Sequence, residues 1–473
     1  FLQKHISWTL VSAGTFSARY SDDGYLLDTA SNCLYFNNGD AIWTYSLGLL
    51  NSKITDSVLS ILNPTLNFSC GVVGLIPFKI DSTEEIDNLV IENIGLCKND
   101  WDSKELSWKF MVNELVRIQG QDLEESYELY KQSWQRKFFR LHQNEEELNR
   151  IYIKIYGLST DLTHQVKLEN ITILQEELDK SLITRINKKL IRSRETDTVL
   201  NYGEISLPFK GEVIIRHFIS YAVGCMVGRY SLDKEGIIIA NQGDSLHVYL
   251  HNIGKSKEEC AFLPDEDNII PILEDDWFED DIVGRFYQFL RVTFGENNFI
   301  KNLAFIEEQI GKDIRKYFIK DFYPDHIKRY KKRPIYWMFS SPKGSFNILI
   351  YMHRYTPDTV SNILNKYLKE FIGKLNTRKE HLERVKVTGS ASDKSKAIKE
   401  SDNIQKMLVE LHEYERDILY PLATERIEID LDDGVLVNYN KFGKAVKEVN
   451  GLNDPSTKKK VKQFDWIDTS QIK

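Results

Sequence analysis

Residues 328 to 359 read KRYKKRPIYWMFSSPKGSFNILIYMHRYTPDT and combine positive charge, aromatic rings and small hydroxyls more densely than any other part of the chain. Lys and Arg neutralise phosphates, Tyr and Trp stack on bases, and hydroxyls donate hydrogen bonds to a sugar-phosphate backbone. This composition favours a nucleic-acid surface. It is equally typical of a buried strand flanked by a solvated basic loop, because RPIYWMFSS is apolar enough for alternate residues to face a core.

The charge around this stretch favours the first interpretation. Residues 301 to 400 hold 22 Lys and Arg against 11 Asp and Glu, a net charge of +11 within a chain of net charge −8. The rest of the chain must therefore sum to −19. A local excess of this size attracts a polyanion even on an acidic protein, since charges act over a Debye length of about 8 Å. We expect these cations to gather on one exposed surface that fits a double helix.

The bulk composition is ordinary. A chain of 473 residues, 42% hydrophobic and 28% charged, is long enough for about two to four domains. It contains no run of apolar residues long enough to span a membrane, and its opening, FLQKHISWTL, lacks the features of a signal peptide. Five widely spaced cysteines are typical of thiols in a reducing compartment, so we expect a cytoplasmic protein. Because the chain opens on Phe1 rather than Met, we also expect the natural polypeptide to extend further toward its N-terminus.

Alternating strand-like and helical patterns predict an α+β fold. Between Leu123 and Tyr156 apolar residues recur at threes and fours, which predicts a helix roughly 50 Å long. The predicted parts are a strand-rich recognition module at 1–80, a long helical spacer at 81–199, a mixed α/β basic recognition module at 200–356, an antiparallel helical pair at 357–425, and a C-terminal extension and tail at 426–473.

Finer patterns predict individual elements within these parts. Helices are expected from Ile171 to Arg194 and from Glu212 to Gly228, and a buried strand at GIIIANQ (236–242). LHVYLHN (246–252) has the β-branched and aromatic character of a strand, so its two histidines are not expected to form a metal site. The final residues, PSTKKKVKQFDWIDTSQIK (455–473), are typical of a flexible tail.

Several chemistries are excluded by missing motifs. No two prolines are adjacent, so the Asn/Asp-Pro-Pro-Tyr/Phe motif of exocyclic amine methylation is absent, as is the Gly-x-Gly turn of a dinucleotide or S-adenosylmethionine loop. No Glu-x-Lys of a restriction-type nuclease centre occurs. Nine acidic residues lie between Asp265 and Asp281, but without the Gly that a calcium loop requires. The sequence thus predicts neither a catalytic residue nor a metal site, and a chain that does not catalyse by itself.

The candidate DNA-binding residues all come from the opening stretch. The expected phosphate ligands are Lys328, Arg329, Lys331, Lys332, Arg333, Lys343 and Arg354. The side chains expected nearer the bases are Tyr336, Trp337, Ser340 and Ser341. The alternative is a non-catalytic assembly protein, whose helices would bind other proteins and whose basic face would meet an acidic partner.

Long runs of the chain closely resemble the C-terminal part of the PglX family, the adenine-specific DNA methyltransferases of BREX phage-defence systems. The resemblance covers residues 1 to about 450, with its motifs in order. The runs that carry it are NPTLNFSCGVVGLIPF (63–78), LCKNDWDSKELSW (96–108), NEEELNRIYIKIYGL (144–158), LPFKGEVIIRHFISYAVGCMVGRYSLD (207–233), FLPDEDNIIPILEDDWFEDDIVGRF (262–286), RPIYWMFSSPKGSFNILIYMHRYTPDTVS (333–361) and LDDGVLVNYNKF (431–442).

The resemblance implies that a catalytic domain with a Rossmann-like S-adenosylmethionine fold precedes a target-recognition region and a helical C-terminal region. The methyl-transfer motifs have no matching positions here, so we expect the DNA-recognition half, with S-adenosylmethionine used by the full-length protein and no cofactor bound by this part. The implied partners are double-stranded DNA and other BREX subunits, and phage proteins that imitate DNA would meet the same basic face.

Overall fold

The computed structural model describes residues 2–36, 42–63, 65–81, 84–195, 205–464, 470 and 472–473. The chain divides into two compact units, one formed by residues 1–103 and 128–210 and the other by residues 104–127 and 211–473. Both combine helices with a small antiparallel sheet, so the predicted α+β class with long helices is confirmed. No helix in the described ranges is both long enough and apolar enough to cross a membrane.

The first unit begins with a three-stranded antiparallel sheet in the order β2-β1-β3. Its core contains Trp8, whose indole nitrogen donates to the carbonyl of Phe68 at 2.8 Å, and Tyr152, whose hydroxyl donates to the carbonyl of Tyr45 at 2.8 Å. The elements of this unit are β1 (His5–Thr9), β2 (Ala18–Ser21), β3 (Ser31–Tyr35), α1 (Ile42–Leu50), α2 (Lys53–Leu62), α3 (Cys70–Val73) and α4 (Glu84–Asp102).

Longer helices follow along the chain. After the short α5 (Glu114–Ile118) of the second unit, α6 (Leu123–Tyr156) forms at the predicted bounds, because its apolar stripe at threes and fours is buried along most of its length. The predicted helix from Ile171 begins later, as α7 (Lys180–Glu195), because Asp179 accepts hydrogen bonds from the backbone of Ser181 and Leu182 and so caps its start.

The second unit is built around a hairpin, β5 (Tyr336–Ser340) and β6 (Asn347–Tyr351), in which Tyr336 pairs with Tyr351 and Ser340 with Asn347. A short strand, β4 (Ile270–Pro271), pairs with the other edge of β6. Every residue of β5 and β6 is buried, and the rings of Tyr439 and Phe442 pack on Trp337. From Gly211 onward, the α-helices that precede the hairpin are α8 (Gly211–Met226), α9 (Leu246–Ile253), α10 (Ile282–Phe294), α11 (Phe299–Ile310), α12 (Ile314–Tyr317) and α13 (Tyr323–Arg329).

Two predicted strands of this unit are wrong. LHVYLHN forms helix α9, because Ser245 caps its N-terminus and Gly254, at φ +71°, ends it in the left-handed conformation. GIIIANQ forms no strand, although Ile239 is fully buried. By contrast, the predicted helix at Glu212 is confirmed as α8, and Gly224 allows close packing, since a Cβ there would lie 2.4 Å from the ring of Tyr230.

The helical pair is also present. A helical stretch of α14 (Thr359–Asn362), a π-turn and α15 (Lys369–Thr388) lies antiparallel to α16 (Ala391–Tyr414), as shown by the hydrogen bonds from Lys379 to Gln405 and from Lys386 to Ser401. The chain continues through α17 (Tyr420–Glu425) and α18 (Gly434–Asn440) to α19 (Pro455–Val461). The predicted division into recognition modules and a spacer stays a prediction.

Candidate nucleic-acid interface

The aromatic and hydroxyl side chains expected near the bases are all inside the second unit. Trp337 is fully buried, donates its indole N–H to the carbonyl of Pro334 at 3.1 Å, and packs on Tyr439 and Phe442. Tyr336 is equally buried and its ring stacks on His326 with centroids 4.5 Å apart. Neither ring has a free face on which a base could stack, so the expectation of base contacts is wrong for both.

The two serines of the hairpin also have structural roles. The Ser340 hydroxyl donates to Asn347 Oδ1 at 2.8 Å, and the Ser341 hydroxyl accepts from the backbone N–H of Phe346 at 3.0 Å. Both residues are buried. They close the turn between β5 and β6, and the expectation that they lie near DNA bases is corrected accordingly.

Arg329 and Arg354 were expected on phosphates, but both guanidinium groups are used within the protein. Arg329 Nη1 donates to the buried carboxylate of Glu105 at 3.0 Å. Arg354 donates to the backbone carbonyls of Asp265 at 2.8 Å and of Glu266 at 2.9 Å, and burial lowers its pKa. Because an arginine holds several acceptors at once, each of these side chains joins segments that are distant in sequence. Neither is available to a phosphate.

Five of the predicted phosphate ligands are exposed: Lys328, Lys331, Lys332, Arg333 and Lys343. Four of them lie at the end of α13 and in the loop that leads to β5, residues 328–333, called here the basic loop. Its Arg333 donates to two backbone carbonyls, those of Lys332 at 2.8 Å and Gly451 at 3.4 Å. Within the described part of the chain, these five cations make no ion pair with a carboxylate.

The backbone of the basic loop is unusual for the residues it carries. Lys331 and Lys332 have φ values of +50° and +63°, in the left-handed region that normally favours Gly. The conformation is held by hydrogen bonds from the N–H of Lys332 to the carbonyl of Ile327 and from the N–H of Arg333 to the carbonyl of Tyr330, both at 2.8 Å. Each left-handed Lys costs about 1–2 kcal/mol relative to the right-handed form. A chain that needed only a helix end would be more stable with Gly here.

Lys343 is exposed on the turn between β5 and β6, and a buried carboxylate holds its backbone. Glu410 of α16 accepts from the N–H of Lys343 at 2.6 Å and from the hydroxyl of Ser345 at 2.5 Å. Glu410 is 4% exposed and lies on the buried side of α16 with Leu411 and Tyr414. The helical pair therefore fixes the backbone position from which the Lys343 side chain extends into solvent.

The wider expectation, that the cations of residues 301–400 gather on one exposed surface, is wrong for many of them. Lys301 pairs with Asp122 at 2.6 Å, Arg315 with Asp281 at 3.0 Å, and Arg378 with Glu400 at 2.7 Å. Each of these pairs joins two elements of the second unit and neutralises the cation locally. Asp281 also caps α10, which explains part of the acidic segment without a metal, and no group of metal-ligating side chains occurs within the described residues.

One functional candidate was missed by the sequence analysis. Residues 455–473 were expected to form a flexible tail, yet residues 455–461 form α19, and Val461 is fully buried against Val437. The segment begins beside the basic loop, since Gly451 accepts from Arg333. The run KKKVK at 458–462 was the available signal, because a single apolar residue among lysines marks the buried side of a short helix. Residues 465–469 and 471 lie outside the described residues.

Two curated relatives align with almost the entire chain, while no family model matches it. The adenine-specific methyltransferase BrxX of Escherichia coli O9:H4 (strain HS) is 33% identical over 470 residues, which is 96% of this chain and 37% of BrxX. The adenine-specific methyltransferase PglX of Lacticaseibacillus casei (strain Zhang) is 35% identical over 456 residues, 92% of this chain and 34% of PglX.

The chain thus spans about a third of the length of the curated relatives it matches. Identity at this level over hundreds of residues indicates common descent, and the resemblance seen in the sequence is confirmed. The chain is homologous to the BrxX and PglX adenine-specific methyltransferases.

Proposed function

We propose that this chain is the DNA-recognition part of an adenine-specific DNA methyltransferase of a BREX phage-defence system. It binds duplex DNA and positions it for S-adenosylmethionine-dependent methylation by a catalytic region outside these residues. The observation that carries the proposal is the basic loop, whose Lys331, Lys332 and Arg333 are exposed and unpaired with described carboxylates in a protein homologous to adenine methyltransferases.

Strain in the basic loop supports a binding role. Lysine in two successive left-handed positions costs stability that Gly would recover. Residues in such conformations concentrate at ligand-binding sites, where the surrounding structure holds them in place. In this proposal the loop holds its cations toward the phosphates of a duplex, and Lys343 adds a further charge on the hairpin turn.

Such a surface supplies binding energy for a reaction at a distance. Methylating an adenine requires the base to leave the helix stack, a step that costs roughly a few kcal/mol. Phosphate contacts made by the basic loop hold the duplex while the catalytic region turns the base out. The full-length protein uses S-adenosylmethionine, and this chain supplies no residue that we assign to that cofactor. We propose further that the protein acts in a cytoplasmic defence complex with other BREX subunits. Phage proteins that imitate DNA would inhibit it by binding the same basic surface.

A second candidate function is an assembly protein that binds other defence subunits. Large apolar side chains are exposed in the first unit around the end of α2 and beyond α3, including Ile61 at 80%, Leu75 at 64% and Ile80 at 67%. Exposed apolar side chains favour protein contacts rather than contacts with phosphates. If the chain is an assembly protein, its binding to duplex DNA should be absent or independent of salt concentration.

The test measures duplex binding by the 473-residue chain across a range of salt concentrations. Replacing Lys331, Lys332 and Arg333 together with Ala should weaken binding and flatten the log-log salt slope by up to about 0.9 for each phosphate that is no longer neutralised. The matched control replaces Lys396, Lys399 and Lys406 of α16, three exposed lysines, and should leave the slope unchanged. Absence of salt-sensitive binding by the unmodified chain would overturn the proposal and favour the assembly protein.

A further inference from the structure

Helix α19 is held firmly enough to present its side chains in fixed positions. Asp454 caps it by accepting from the backbone N–H groups of Ser456 at 3.1 Å and Thr457 at 3.2 Å, and Pro455 occupies the first turn. At the other end Val461 is fully buried in a small cluster with Val437 and Ile472. Capping at one end and burial at the other anchor this short helix, which would not be stable alone.

The exposed side of the helix is strongly basic. Lys459 and Lys460 are exposed, as is Lys462 just after the helix, and none of them makes an ion pair with a carboxylate among the residues described. Lys458 is half-buried, and burial together with the nearby charges of Lys462 and Lys444 lowers its pKa despite the opposing effect of a glutamate. Burial is the main cause of this pKa shift, and Glu448 offsets part of the repulsion between the lysines, so the net positive charge of this side rests on the exposed Lys459, Lys460 and Lys462.

A single turn joins this helix to the basic loop. The Gly451 carbonyl accepts from Arg333 Nη1 at 3.4 Å, and a Cβ on Gly451 would lie only 3.1 Å from the Lys332 ammonium. Gly451, at φ +81°, also donates its N–H to Asp454 Oδ2 at 2.6 Å. The basic loop, the turn and the cap of α19 are therefore consecutive neighbours in space, although residues 333 and 451 are 118 positions apart.

Carboxylates do little to cancel the charge of this segment. Residues 441–464 contain seven lysines against two acidic residues, Glu448 and Asp454. The Asp454 carboxylate accepts hydrogen bonds from Gly451, Ser456 and Thr457, which hold its pKa well below its usual range. Both oxygens of Asp454 are thus occupied by the turn and the start of the helix, and among the described residues this carboxylate forms no ion pair with the lysines.

We propose that the basic loop and the lysines of the C-terminal segment, Lys444, Lys458, Lys459, Lys460 and Lys462, form one surface that binds the phosphates of duplex DNA without reading base sequence. This inference rests on the proposed function. Lysine presents a rotatable point charge that suits phosphates, whereas base reading uses planar, bidentate groups. A helix of seven residues is about 10 Å long, so its lysines span about three base pairs at about 3.4 Å each.

The experiment replaces Lys459, Lys460 and Lys462 together with Gln in the 473-residue chain. Gln retains helix propensity and the exposed stems while removing three charges. Binding is measured by fluorescence anisotropy with two duplexes of unrelated sequence at several salt concentrations. We expect affinity to fall by the same factor on both duplexes, and the log-log slope to fall by about 0.9 for each phosphate that these lysines neutralise.

Three comparisons make the outcome decisive. The same three positions changed to Arg retain charge and should keep the original slope, which separates loss of charge from a local folding defect. Lys396, Lys399 and Lys406 changed to Gln remove the same charge from α16 and should keep the slope as well. A slope that stays constant in the C-terminal Gln variant, while the variant of the basic loop loses slope, would overturn this inference and leave the proposed function intact. Failure of the unmodified chain to bind DNA would overturn both.

Discussion

The basic loop at 328–333 and the hairpin β5–β6 that follows it belong to one stretch of sequence, but the loop is mostly cationic and exposed and the hairpin mostly aromatic, aliphatic and buried. In the loop, Lys331, Lys332 and Arg333 are exposed, and the two lysines are strained. In the hairpin, the aromatic and hydroxyl side chains are buried and satisfied within the protein. A mixture of cations and aromatic rings in one stretch therefore does not define a binding surface. Whether a side chain can contribute to a binding surface depends on whether groups within the fold already bind it.

Arg329 shows this contrast between exposed and buried side chains within the basic loop itself. Arg329 lies between the exposed Lys328 and Lys331, yet its guanidinium donates to Glu105, which also accepts from Tyr330 at 2.9 Å and from Ser220 at 2.6 Å. A buried carboxylate with three donors is stable only while its cation remains. The guanidinium of Arg329 therefore stabilises the fold, although Arg329 lies within the same basic loop as the exposed lysines.

The largest expected effect tests the buried side of this contrast. Replacing Arg329 with Met should lower the free energy of unfolding by about 3–5 kcal/mol, because Glu105 would be left buried without a counter-charge. The measurement is urea denaturation followed by circular dichroism. Lys328→Met, at the exposed neighbouring position, is the matched control and should change stability by no more than about 0.5 kcal/mol. Equal stability of the two variants would contradict the assignment of Arg329 to the core.

An intermediate effect is expected where the helical pair holds the hairpin turn. Glu410→Ala should cost about 1–3 kcal/mol, because the Lys343 N–H and the Ser345 hydroxyl are left without their charged acceptor. Glu413 lies on the same helix and is exposed, so Glu413→Ala provides the reference. Thermal unfolding of both variants measures the difference. If Glu410→Ala unfolded at the temperature of the reference variant, Glu410 would not be holding the turn.

The smallest effect separates strain from charge in the basic loop. Lys331→Gly removes both, whereas Lys331→Ala removes the charge and keeps the left-handed strain. The Gly variant should be up to about 1 kcal/mol more stable than the Ala variant, because the relief of strain exceeds the entropy that Gly adds to the unfolded chain. Both should reduce the salt slope of DNA binding by the same amount, up to about 0.9. Denaturation and anisotropy on the same preparations test the two statements, and a less stable Gly variant would contradict the first.

Much of the fold could be predicted from local patterns. The α6 bounds follow from the spacing of its apolar residues, since a helix of 34 residues repeats its pattern often enough to be unambiguous. Short segments were less predictable. LHVYLHN favours a strand by composition, but Ser245 and Gly254 cap it as a helix, and residues that flank a segment outweigh its own propensity when the segment is only two turns long.

The candidate interface likewise has features that the sequence predicts and features that it does not. The sequence by itself determined the homology to the BrxX and PglX methyltransferases, the long helices, and the excess of cations between residues 301 and 400, because these depend on residue identity and spacing alone. Only the tertiary structure decided which cations are used internally, as Arg329 and Arg354 are, and which remain exposed beside Gly451 and α19. The physical reason is that the partners of these side chains, Glu105 and the carbonyls near Asp265 and Gly451, lie about a hundred or more positions away, beyond the reach of any local pattern.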